Sequence, residues 1–144
     1  MDKIQIGTLK KQVDNFEHTK MGEVAPSELQ NIISEIKSNV ALDEAGEANL
    51  SLMLILGIAL SKAGNYAEAC TYLESGCQMI TDPKQDRMKK EFVVNLIKNG
   101  ELMMQNDKKM KSKGVETITK YREVLIDQYE RNEKWENFFA EVYS

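Results

Sequence analysis

The chain reads as a single all-α domain, residues 1–144, built from antiparallel helical hairpins, with about seven helices in all. Three observations predict that class. Apolar residues recur with the 3.6-residue period of a helix, and no convincing run alternates apolar with polar positions as a half-buried strand does. Only two prolines interrupt the chain. Apolar side chains make up 42% and charged ones 29% of the residues, a balance unlike that of disordered chains. A chain of this length buries roughly two-thirds of its unfolded surface, enough for one core. No linker is long enough to argue for a second domain.

Ile6, Leu9, Val13 and Phe16 share a helical face and predict a first helix over about residues 3–19. Gly22 and Pro26 break the pattern. Ser27 and Gln30 then have the spacing of a capping box, in which each side chain satisfies the other residue's free amide. Leu29, Ile32, Ile33, Ile36 and Val40 form the stripe of that second helix. Asp43 is the expected cap of a third, running to about Ala63, and Asn65 opens the fourth. Asp82-Pro83 with Gln85 marks another start, because proline in a first turn lacks only an amide that has no partner there. Met88, Phe92, Val93, Leu96 and Ile97 give the fifth helix its core face, and Asn99-Gly100 is expected to end or kink it. Residues 106–114 read as a loop. Val115, Ile118, Tyr121, Leu125 and Tyr129 mark a sixth helix, and Trp135, Phe138, Phe139 and Val142 a short seventh.

Residues 50–83 carry the most specific pattern. Leu56-Gly57 falls in one helix, Gly64-Asn65-Tyr66 in a turn, and Ala69, Leu73 and Gly76 on one face of the next. Gly57 and Ala69 are small enough for two helices to cross closely. Gly64 suits the left-handed position that ends a helix. Tyr66 and Leu73, seven residues apart, return apolar bulk toward the first helix. The string LGIALSKAGNYAEACTYLESG resembles a tetratricopeptide repeat, a helical hairpin of about 34 residues. That resemblance implies a short stack of hairpins, a TPR-like α-solenoid, because one hairpin cannot bury its own apolar face. A degenerate second copy is expected near 119–144, with Ile126 in the place of Gly57 and Phe138 in that of Ala69.

In that family, ligands lie along the first helices of successive hairpins. The corresponding groove positions here are Ser51, Leu54, Ile58, Ser61 and Lys62. Leu54 and Ile58 stand where the branch that holds chaperone tails has lysine and asparagine, so that function is set aside. The segment from Leu50 to Leu60 is apolar nearly all round, which implies burial on several sides, by N-terminal helices or by a partner. The resemblance therefore implies a non-catalytic protein-interaction module, a small adaptor or chaperone for an apolar or amphipathic segment of another protein. The alternatives are a peptide-sensing regulatory domain related to TPR-containing transcription regulators, and a self-associating subunit, a homo-oligomer capped through its aromatic end.

Charge and composition bear on the remaining classes. With 19 basic and 23 acidic side chains the formal charge is −4, which offers nucleic acid no general attraction. Lys108, Lys109, Lys111 and Lys113 form the one basic cluster, read as a solvated loop, with phosphate or an anionic membrane as its charged alternative. No apolar stretch reaches the length of a membrane span, and the first twenty residues lack a secretory signal's apolar block, so a cytoplasmic location is expected. His18 is the single histidine, no metal-ligating or phosphate-cradling motif is present, and neither catalysis nor a cofactor or metal is expected. Cys70 and Cys77 lie about 10 Å apart along one helix, too far to bridge, and are expected as buried small residues. Six methionines from Met53 to Met110 read as core filler, with Met103-Met104 the pair whose exposure would argue for an adaptable surface.

Overall fold

The structure is a computed structural model that describes residues 1–128. Among the described residues there are six α-helices and no strand: α1 (Lys3–Asp14), α2 (Ser27–Lys37), α3 (Glu47–Lys62), α4 (Tyr66–Met79), α5 (Asp86–Asn106) and α6 (Lys111–Gln128). The short 3-10 turns Pro83–Gln85 and Lys108–Met110 precede α5 and α6. The expected seventh helix at Trp135, Phe138, Phe139 and Val142, and with it the second half of the copy near 119–144, lies outside the described residues. Among the described residues, no helix is long and apolar enough to cross a membrane.

Local chemistry explains some of the helix ends. Asp2 and Gln5 close a capping box on α1, with the Asp2 carboxylate accepting the Gln5 amide at 2.8 Å and the Gln5 side chain accepting the Asp2 amide at 2.9 Å. The helix ends at Asp14, five residues short of the expected end, so His18 belongs to the connection rather than to a helix face. Ser27 is already helical and Pro26 holds the cap position without a side-chain bond. The expected box does not form, and Gln30 Nε2 instead donates to the Ala25 carbonyl at 2.7 Å. Asp43 caps nothing, because α3 begins later, after Gly46. Asn49, in the first turn of α3, holds the preceding connection by accepting from the Ala41 amide at 2.8 Å and donating to its carbonyl at 2.7 Å.

The α3–α4 turn follows the expected logic in detail. Gly64 has φ +87°, its amide donates to the Ser61 carbonyl, and the Asn65 amide reaches the Leu60 carbonyl at 2.8 Å. These two bonds satisfy carbonyls that the ending helix leaves free. Asn65 then precedes α4 without a side-chain cap bond. Asp82 does cap, accepting the Lys84 amide at 2.9 Å, but into the 3-10 turn that leads to α5.

The core divides at α3. Leu9 and Val13 of α1 and Leu29, Ile33 and Ile36 of α2 pack on Leu52, Ile55, Leu56, Ala59 and Leu60 of α3, together with Ala69 of α4. Leu50, Met53 and Leu54 of α3 face the other way, into a cluster with Tyr66, Leu73, Phe92, Leu96, Ile118 and Leu125 from α4, α5 and α6. A helix buried on both sides must be apolar nearly all round, which accounts for the composition of α3.

Glycines sit at the crossings on the second side. A side-chain carbon added at Gly57 would overlap Leu73, and one at Gly76 would overlap Phe92. One at Gly114 would come within 2.6 Å of the Gly100 backbone oxygen. Gly100 therefore does not end its helix. It lies buried inside α5, where Gly114 of α6 crosses it, and the expected loop over 106–114 is reduced to one 3-10 turn and the start of α6. The small-residue crossing recurs between α5 and α6, one helix earlier than the register through Ile126 predicts. Ile126 is half-buried against the second cluster.

Candidate functional site

α1, α3 and α5 bring their C-terminal ends together. The Lys62 ammonium donates to the carbonyls of Val13 at 2.9 Å and Asp14 at 3.2 Å, and the Thr19 amide donates back to the Lys62 carbonyl at 2.7 Å. A cation on the last carbonyls of a helix satisfies them and opposes the negative end of its dipole. These contacts fix α1 beside α3, and a cleft of about 410 Å³ opens between α1, α3 and α5.

The floor of the cleft is apolar. Leu54, Gly57 and Ile58 come from α3, Leu73 from α4 shows beneath Gly57, and Leu102 comes from α5. Leu54 and Leu73 are fully packed, whereas Ile58 and Leu102 are half-buried and keep part of their surface toward the opening. The walls are polar. Lys10, Asp14 and His18 stand on the α1 side, Glu91, Asn95 and Lys98 on the α5 side, and Ser61 and Lys62 close the end where the helix termini meet.

Electrostatics in the cleft lean cationic at that closed end. Partial desolvation lowers the Lys62 pKa, and Lys98 lowers it further against an opposing pull from Asp14. His18 has a largely exposed surface, yet its pKa is lowered too, first by desolvation, then by Lys62 and Lys98. Its imidazole is therefore neutral at pH 7.

Four of the five residues expected in the groove, Leu54, Ile58, Ser61 and Lys62, line this cleft. Ser51 is half-buried on α3 and is not among the lining residues. Leu54 is only 5% exposed and acts as floor rather than as a protruding contact. Of the residues expected to pack the repeat, Leu56 and Ala69 are buried on the N-terminal side of α3, Tyr66 and Leu73 on the other, Gly57 and Gly76 sit at crossings, and Gly64 makes the turn.

Both outer walls escape sequence reasoning. The α5 wall had a signal, since Glu91, Asn95, Lys98 and Leu102 recur at spacings of four, three and four and so form one stripe beside the core face. The α1 wall had none, because it depends on the long-range bond from Lys62.

The remaining chemistry-bearing groups are packed away. Cys70 and Cys77 are buried free thiols. Burial, then the hydrogen bond to Glu74 at 3.0 Å, pushes the Cys70 pKa up to about 12, and burial raises that of Cys77. Both are protonated at neutral pH and lack thiolate reactivity. Met53 and Met103 are fully buried, and Met79, Met88, Met104 and Met110 pack against the second cluster, so these six methionines serve as core rather than as an exposed surface. Among the described residues no three of His, Cys, Asp and Glu gather as a metal-binding group. Comparison with protein-family models, curated proteins and solved structures finds no match to this chain.

Proposed function

We propose that this protein is a non-catalytic interaction module built of TPR-like hairpins, an adaptor or small chaperone that holds an apolar or amphipathic segment of another protein. The observation that carries the reading is the cleft between α1, α3 and α5, with Ile58 and Leu102 half-open on an apolar floor and polar side chains on both walls. Such a layout suits a short segment that buries one or two apolar anchors and keeps its flanks solvated. A volume of about 410 Å³ holds a few side chains rather than a whole helix.

Photocrosslinking tests this in the native lysate, with a photoreactive residue placed at Ile58 or Leu102 and the products mapped to peptides. A recurrent partner segment with apolar anchors, lost when Ile58→Glu is added to the Leu102 probe in a folded variant, supports the reading. Crosslinks no stronger than those from a control at exposed Ser34 on α2, or unaffected by Ile58→Glu, overturn it.

A further inference from the structure

We propose that the end of the bundle where the α1–α2, α3–α4 and α5–α6 connections meet docks on an anionic lipid bilayer. These connections surround a recess of about 550 Å³, lined on one side by Lys20, Met21 and Gly22 and on the other by Lys108 and Lys109. Residues distant in the sequence thus share one face. Lys111 and Lys113 follow in the first turn of α6 and are exposed at the same end. None of these five lysines takes part in an ion pair among the described residues. Two carboxylates accompany the recess, Glu23 and Asp107, and that of Asp107 accepts the Lys109 amide at 3.0 Å. A protein with a net charge of −4 therefore gathers cations at this end.

Apolar exposure decides between a bilayer and a soluble polyanion. Met21 is 68% exposed and Val24 is 85% exposed, and both lie in the connection that carries Lys20. This connection is held in place: the Thr19 amide bonds to the Lys62 carbonyl, the Glu23 amide to the Lys20 carbonyl, and Gln30 Nε2 to the Ala25 carbonyl. Gly22 takes φ +85° at its tip. A fixed loop that presents a methionine and a valine beside lysines supplies both signals that membrane anchoring combines, apolar insertion and attraction to anionic headgroups. A soluble polyanion would engage the lysines and gain nothing from Met21 and Val24. The cleft between α1, α3 and α5 has different lining residues, so this inference does not rest on the function proposed for it.

The test is flotation of the full chain with phosphatidylcholine vesicles, either alone or carrying about one-third phosphatidylserine. The expected result is partition onto the anionic vesicles only. Lys20→Glu/Lys108→Glu/Lys109→Glu should weaken it at least about a hundredfold, at roughly fivefold for each lysine lost. Met21→Ser/Val24→Ser should weaken it severalfold, and the circular dichroism of both variants should match the parent because every changed side chain is exposed. Absence of partition onto anionic vesicles, or partition indifferent to the lysine change, overturns the proposal. Partition reduced by the lysine change but indifferent to Met21→Ser/Val24→Ser also overturns it, and reassigns the face to soluble polyanions.

Discussion

The two sides of α3 solve the same packing problem with opposite means. On the N-terminal side, α1 and α2 meet α3 through full-sized side chains, Leu9, Val13, Leu29, Ile33 and Ile36, and the one glycine of α1, Gly7, has nothing within 4 Å. On the other side, Gly57, Gly76, Gly100 and Gly114 sit where successive helices cross, each against a neighbour with no room for a further carbon. The first side is held by what its side chains fill, the second by what its glycines leave out. Truncation should therefore damage the first, and enlargement the second.

The largest expected effect is Leu29→Ala, which empties a fully buried site between α2 and α3. A loss of about 3–4 kcal/mol is expected, read from the urea midpoint; a loss below about 1 kcal/mol would show that the N-terminal pair collapses to refill the space. Gly114→Ala comes next. Alanine inside a helix gains about 1 kcal/mol over glycine, but the Gly100 oxygen at 2.6 Å is backbone and yields only if α5 and α6 part. Overpacking should prevail by about 2 kcal/mol net. Gly57→Ala meets the packed Leu73 side chain rather than backbone, and a side chain can shift where a backbone cannot, so its net cost should be smaller, about 1 kcal/mol. At Gly7 no contact opposes the helix gain, and Gly7→Ala should stabilise by about 0.5–1 kcal/mol. If thermal denaturation shows Gly57→Ala and Gly7→Ala shifting in the same direction, the contrast drawn between the two sides is lost.

The smallest effect is electrostatic. His18 has a folded-state pKa below its unfolded value near 6.5. The unfolded chain thus binds more protons as the medium acidifies, and stability falls as pH drops from above 6.5 toward the folded value, then levels off. His18→Asn should flatten the pH dependence of the urea midpoint in that window. An unchanged slope would mean that neither burial nor the Lys62 and Lys98 charges depress the imidazole in solution.

Much of this fold is legible in the sequence, for reasons that differ by region. Periodicity finds the helices, and Gly64 finds the α3–α4 turn because a glycine placed just after an apolar helical run supplies the left-handed residue that closes such a helix. Gly100 misleads because the same residue carries two meanings. Glycine inside a helix costs about 1 kcal/mol and so reads as a stop, and only the crossing with Gly114 reveals what offsets that cost. Ser27 misleads because Pro26 occupies the cap position that the serine was expected to take. The cleft is half legible: its α3 floor follows from the repeat resemblance, whereas its α1 wall depends on Lys62 reaching across 49 positions to Val13.

That last bond ties the occupancy of the cleft to the integrity of a helix. The Lys62 ammonium holds the final carbonyls of α1 and also lines the cavity beside them. An occupant that recruits this ammonium would remove both of its bonds to α1 at once, and the end of that helix should loosen as the space fills. Amide hydrogen exchange over residues 9–19 would then quicken on binding while the rest of the bundle slows, making the N-terminal helix a gauge of the load carried next to it.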